Sequence, residues 1–320
     1  MTLRMWPALT LAIVLCLSLA LRANHGPGTS GGGSATASGE TLKEGSFDLS
    51  LRTDYAQFQN IDAAGAERRA LDSGGFDALR SATIVTGGLA YGITDDFQIS
   101  ASIGYYWGDN FIDAESEDGV TAESASADPE GLTDLALTLK YRFYRGPWGN
   151  FAAIGGVIAP TGRDDVRLTS GELLEASSQP GTGAWAYQVG LAWSRFLTSR
   201  VTVDASGIYT IRTPNDGFEV GDRVDLGLAF AYRLTDSIKS FPNWSVFAEA
   251  NGVWLGEDQD GGEFNPNSGG WTVYLTPGVR CRFNPNCALT VAPSFPVLQE
   301  LNGEQIKSEF KLAATLSVSF

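Results

Sequence analysis

At 320 residues, with 43% hydrophobic residues and a mean hydropathy near zero, the chain is too polar for a bundle of membrane helices. Asp and Glu number 37 against 22 Lys and Arg, and the net charge of −15 leaves no basic footprint for nucleic acid. A β-barrel, whose lumen face is polar, stays open on these numbers.

Arg4 precedes an apolar run from Leu9 to Leu21, with small residues at Ala20 and Ala23, so residues 1–23 read as a secretory signal peptide. Cys16 follows Leu15, where a lipoprotein signal needs a small residue, so no lipid is expected there. After the leader the cysteines are Cys281 and Cys287, and an even pair in an exported protein reads as a disulfide. Residues 24–44 are rich in Gly, Ser and Thr without periodicity and read as a flexible tail.

Twelve strands are predicted over 45–320. In the first, 46–58, Phe47, Leu49, Leu51 and Tyr55 face away from Asp48, Ser50, Arg52 and Asp54. Strand side chains alternate between faces, so one surface is oily and the other polar. The second, 79–93, turns at Asp95-Asp96 into the third, 97–107. An acidic segment, 109–130, precedes the fourth, 131–144, and a tight turn at 145–149 leads to the fifth, 151–161. A polar loop over 163–180 separates these from the sixth, 183–195, the seventh, 200–213, and the eighth, 218–234. The ninth, tenth and eleventh cover 243–255, 270–283 and 288–298. The last sets Phe310, Leu312, Ala314, Leu316, Val318 and Phe320 on one face and ends on that aromatic.

Connections are brief after strands two, four, six and ten and usually longer after one, three, five and nine, as in outer-membrane barrels with short periplasmic turns and long external loops. The link from the eighth strand to the ninth is longer than that pattern prefers, and the one from the seventh to the eighth shorter. Trp185 and Trp193 are eight residues apart and Trp244 and Trp254 ten, on one face of their strands. At about 3.3 Å per residue and a tilt near 40°, those gaps span roughly 20–25 Å, close to the apolar band of such barrels. With Trp271 they form the expected membrane girdle. The pattern predicts an all-β fold, a 12-stranded antiparallel transmembrane β-barrel of the bacterial outer membrane. Its partners are then outer-membrane lipids, lipopolysaccharide and a small-molecule solute. The closing strand resembles those whose terminal aromatic, here Phe320, is read by the barrel assembly machinery.

Gly131-Leu132-Thr133-Asp134, Pro160-Thr161-Gly162 and Gly181-Thr182-Gly183-Ala184-Trp185 resemble motifs of the outer-membrane transporter family named after the meta-pathway of phenol degradation. That family is distantly related to the fatty-acid and hydrocarbon channels. The resemblance implies a passive route for small hydrophobic or aromatic molecules. The larger hydrocarbon channels carry a plug domain ahead of the barrel, and the 24–44 tail is too short for one.

The only histidine is His25, ahead of the first strand, so hydrolysis through a His base on the barrel is not expected. No catalytic residue, cofactor or metal is called for. By parity, Asp134, Lys140, Arg142, Asp204, Arg212, Asp225, Arg233, Glu249, Arg280, Arg282, Glu309 and Lys311 point into the lumen. They read either as a selective channel lining or as ion pairs that fill a narrow barrel. The acidic segment reads as a solvated loop. Pro277, Pro293 and Pro296 lack the N–H a ladder needs, which marks either a side exit or a pair of bulges. Two rival functions remain: a sealed structural or surface barrel, and a soluble exported β-sandwich.

Overall fold

The computed structural model describes residues 33–116 and 118–320. The segment 1–23 expected to be a signal peptide, and His25, lie outside them. Twelve long strands form the wall: β1 (Phe47–Phe58), β2 (Gly75–Thr94), β3 (Phe97–Glu115), β4 (Leu135–Gly146), β5 (Gly149–Ala159) and β6 (Ala186–Phe196). They are followed by β7 (Val201–Arg212), β8 (Arg223–Arg233), β9 (Asn243–Leu255), β10 (Gly270–Asn284), β11 (Cys287–Leu301) and β12 (Ser308–Ser319). Each pairs antiparallel with the next, and β12 pairs with β1 from Asp48↔Ser319 to Phe58↔Ser308, closing the ring.

Closure follows from the alternation in the sequence. Leu49, Leu51, Leu312, Leu316 and Val318 are exposed on the outer face, whereas Asp48, Arg52, Ala313 and Ser317 are buried within. Exposed Leu, Val, Phe and Tyr side chains recur round the whole ring, a surface far larger than water tolerates on a soluble protein. Trp185, Trp254 and Trp271 sit on this face toward the long loops, and Trp193 and Trp244 toward the short turns. Trp193 also ties the β4–β5 turn, its indole N–H donating to the Trp148 carbonyl at 2.7 Å.

The long-loop end departs most from expectation. A helix, α1 (Ala63–Ser73), joins β1 to β2, with Asp62 capping its first turn and Gly74 ending it at φ 85°. Its inward stripe is only Ala66 and Ala70, too little apolar spacing to announce a helix. The acidic segment is ordered rather than loose. β3 runs on to Glu115 and pairs with a short strand, Glu123–Ala127. Phe111 and Ala114 are buried there against Phe58, Phe76, Leu79, Val166, Leu168 and Leu174, an apolar cap across the mouth. The predicted eighth strand also splits: Phe218–Glu219 leaves the wall and joins a small sheet with Gln259–Asp260 and Glu263–Phe264.

Two further expectations are corrected. Cys281 and Cys287 are free thiols. The register sets Cys281 opposite Leu289 and Cys287 opposite Asn284, with a shift between Arg282 and Asn284, so the cysteines are not cross-strand neighbours. Glu309 is exposed at the external rim, because the β1–β12 register shifts between Gln57 and Phe58 and breaks the inward parity there. At the prolines, β10 and β11 pair at Leu275↔Phe295 and again at Val279↔Val291, with nothing paired between. β11 and β12 pair only as far as Ser294↔Lys311.

Candidate functional site: an occupied lumen

Residues 33–42, read from composition as part of a free tail, run inside the barrel, and most of them are buried. The correction has a steric reason. A Cβ on Gly33 would meet the Glu249 carboxylate at 2.3 Å, and one on Gly39 the Asn150 carbonyl oxygen at 2.4 Å. The Gly, Ser, Ala and Thr that suggested disorder are the side chains a narrow lumen admits.

Polar side chains of the wall bind the segment along its length. Glu249 on β9 accepts the backbone N–H groups of Ser34 (2.7 Å), Ala35 (3.1 Å) and Thr36, and the Thr36 hydroxyl. Arg52 donates to the Ser34 carbonyl at 2.7 Å, and Arg280 to that of Gly33 at 3.0 Å. Further along, Ser206 accepts the Ala37 N–H (3.0 Å) and Ser194 that of Gly39 (2.7 Å). Lys140 donates to the Glu40 carbonyl (3.1 Å), and Gln98 accepts from Leu42 (3.0 Å). Asp204 holds the Ser194 hydroxyl in place. Hydrogen bonds to charged groups contribute about 1.5–3 kcal/mol each, so Glu249 is the strongest single anchor.

The other charges predicted to face inward divide by height. Arg142 pairs with Asp96 at 2.6 Å beside the short turns. Nearby, Arg233 donates to the Ser199 carbonyl, and Arg282 stacks 5.7 Å over Phe241. Toward the mouth, Arg223 and Asp225 form a bidentate pair at 2.6 Å, and Lys311 lies 4.0 Å over the Tyr274 ring. Arg52 and Arg223 were not singled out from the sequence. Their i, i+2 partners Asp54 and Asp225 were a usable signal, since both members of such a pair share a strand face.

Asp134 gives the three sequence motifs a common purpose. Its carboxylate accepts from Thr161 N (3.1 Å), Gly162 N (2.9 Å), Thr182 N (3.0 Å) and the Thr182 hydroxyl (3.1 Å). A Cβ on Gly162 would lie 2.7 Å from the Gly181 Cα, so the two loop ends cross in direct backbone contact. The clasp folds the β5–β6 loop inward over the lumen. Two cavities lie on the mouth side of the buried segment: about 120 Å³ beneath that loop, and about 80 Å³ beside Ser34, Ala35 and Lys311. Among the described residues, no group of three or more acidic, His or Cys side chains is placed to hold a metal ion.

A closed ring of twelve antiparallel strands, oily outside and polar within, is a transmembrane barrel of the bacterial outer-membrane type. The chain belongs to the family described as MetA-pathway of phenol degradation, whose model matches residues 111–295. The fold is similar to that of an outer membrane channel from Pseudomonas putida F1, at 18% identity and a TM-score of 0.61, covering 88% of this chain and 97% of that one. Weaker similarities include the β domain of the Bordetella autotransporter BrkA (11% identity, TM-score 0.48, 87% and 100% covered). Another is the CymD monoaromatic hydrocarbon channel (13% identity, TM-score 0.42, 87% and 88% covered). No curated protein matches the sequence.

Proposed function

We propose that the chain is a passive outer-membrane channel for small molecules, closed at rest by its own residues 33–42. The observation that carries this reading is the Glu249 clasp. A segment held by hydrogen bonds across a polar wall can leave that wall to water, whereas a packed apolar core cannot be withdrawn without heavy cost. The wall is read as a route and not a reaction centre, because its carboxylates and guanidiniums already engage each other and the segment. Small hydrophobic or aromatic solutes are the class that family membership suggests. Outer-membrane lipid and lipopolysaccharide surround the apolar belt, and Phe320 beside Phe47 is the element offered to the assembly machinery.

A sealed structural barrel is the second reading, favoured by the apolar cap over the mouth. Liposome swelling with sugars and small aromatics separates the two. Deleting residues 24–42 is expected to raise swelling rates at least tenfold over the intact protein. A deletion variant that folds, shown by its heat-dependent migration, yet stays impermeable would establish the sealed barrel.

A further inference from the structure

Three consecutive links on the short-turn side carry charge of the sign opposite to that of the whole chain. Residues 145–149, 195–200 and 233–243 hold Arg145, Arg195, Arg200, Arg233 and Lys239 against a single carboxylate, Asp236, in a protein of net charge −15. Arg200 takes that carboxylate at 2.5 Å, and Arg233 donates to the Ser199 carbonyl at 2.7 Å. Among the described residues, neither Arg145 nor Arg195 has a carboxylate within ion-pair distance. Each link also exposes a large apolar side chain beside its cations: Trp148, Leu197 and Ile238.

Arg195 is built into an aromatic corner. It follows Trp193 by two residues and so shares its outer face, and its guanidinium lies 5.5 Å over the Trp148 ring. Trp193 in turn holds the Trp148 carbonyl and packs on Phe151 at 6.2 Å. Arg145 is exposed at the rim. Register sets it opposite Asn150, and Asn150 opposite Ser194, so the two arginines bracket the start of β5 two strand spacings, roughly 10 Å, apart. Further up the outer wall, β5 leaves a furrow. Ala153 lies between Tyr141 and Leu191, and Gly155 between Leu139 and Val189, four exposed side chains around two small ones. A Cβ added at Gly155 would meet nothing within 4 Å.

Trp193 marks the lower edge of the apolar belt, so the guanidinium beside it stands at the level of the lipid phosphates. The short turns of such barrels are periplasmic, which makes this the periplasmic leaflet. A phosphate diester is a strong partner for guanidinium groups, and cations near an anionic lipid surface each raise affinity roughly fivefold. A zwitterionic headgroup would bring an ammonium among cations whose one carboxylate is already engaged. An acidic protein partner would match the charge but has no use for a furrow inside the membrane belt. We infer that this corner of the outer wall is a binding site for an anionic phospholipid of the periplasmic leaflet. Arg195 and Arg145 hold its phosphate, and one acyl chain lies along Ala153 and Gly155. The site is outside the barrel and does not depend on what the lumen conducts.

The test is native mass spectrometry of the purified full chain in detergent, given equal amounts of phosphatidylglycerol and phosphatidylethanolamine. The wild type is expected to retain one phosphatidylglycerol with a preference of at least about tenfold. Arg195→Gln should cut that preference roughly fivefold, and the Arg145→Gln, Arg195→Gln double variant should nearly abolish it. Gly155→Leu fills the furrow and should weaken both lipids alike, by roughly fivefold, leaving the preference unchanged. Arg68→Gln, on α1 at the external end, should change nothing. Heat-dependent migration shows that each variant is folded. Equal retention of the two lipids by the wild type overturns the site, as does a preference that survives in the double variant or wild-type retention in Gly155→Leu. Loss of the lipid to added glycerol phosphate would make a free phosphate the ligand, and an equal effect of Arg68→Gln would make the attraction one of overall charge. Either result also overturns the assignment.

Discussion

The half of the lumen nearest the short turns is filled by polar backbone, whereas the half beneath the long loops is roofed by apolar side chains. In the first, residues 33–42 meet Glu249, Arg52, Lys140 and Ser194 through hydrogen bonds. In the second, Phe76, Phe111, Leu79 and Ala70 are excluded from water altogether. Twelve strands enclose more space than inward side chains fill on their own, so both halves recruit chain from outside the wall. The materials differ in what they cost to remove. Each buried Phe of the cap contributes about 1.5–3 kcal/mol that is lost on exposure. Backbone amides released into a wet lumen recover most of their hydrogen bonding from water. The polar half is therefore built to be emptied, and the apolar half to stay.

The largest expected effect comes from breaking the polar half. Glu249→Ala leaves three backbone N–H groups and one hydroxyl without their buried acceptor. That should weaken the seating of the segment by about 3 kcal/mol, or roughly a hundredfold in its occupancy. Protease cleavage within 33–42 of the folded barrel, followed by mass spectrometry, measures this. Undiminished protection in the variant would place the hold on the segment elsewhere.

How much of this was legible in the sequence follows from what each pattern encodes. Strict alternation in β1, β3 and β12 fixes both faces of a strand, so the ring could be read from the sequence, whereas the parity that sent Glu309 inward fails at a register shift that alternation does not encode. The three glycine-rich motifs could be found but not joined, because their meeting at Asp134 depends on loops that cross only once the ring has closed. The occupied lumen was hidden by its own chemistry. A stretch of Gly, Ser, Ala and Thr is what a disordered tail and a snug polar plug both require. α1 was hidden in a similar way, since two alanines pack it against the strands without any longer apolar side chain.

A smaller effect is expected in the cap, and it depends on pH. Asp77 on β2 stands directly opposite Asp113 on β3, beyond the Trp107 position and thus outside the membrane belt. Burial raises both pKa values, and the Asp77 carboxyl goes well above its ordinary range, with Asp113 and then Glu175 adding to the effect. Glu115 also faces Asp77, and Glu172 faces Asp113. A group whose folded pKa is raised binds its proton more tightly in the folded state. The stabilisation it contributes is complete below about 4 and is lost as pH rises through the raised value. Amide exchange in Phe76–Ala78 and Phe111–Ala114, corrected for intrinsic rate, should therefore quicken from pH 5 to pH 8 while exchange at Glu249 and Ala250 does not. Asp77→Asn should flatten that response, and a response that persists in Asp77→Asn would assign it to another group.

The smallest effect is expected where the wall itself is incomplete. Between Leu275↔Phe295 and Val279↔Val291 the β10–β11 ladder lacks its bonds, and Pro277 and Pro293 fall inside the gap. The register is the same on both sides of it, so the prolines interrupt the bonding without shifting the strands. Replacing Pro293 with Ala restores one N–H, which can contribute about 1 kcal/mol if it finds an acceptor. The same change frees the unfolded chain by about 0.4–1 kcal/mol, which works in the opposite direction. The two terms nearly cancel, so Pro293→Ala should leave the unfolding temperature of the barrel within a degree or two of the wild type. A large loss of stability would mean that the ring at Pro293 packs something the ladder account ignores.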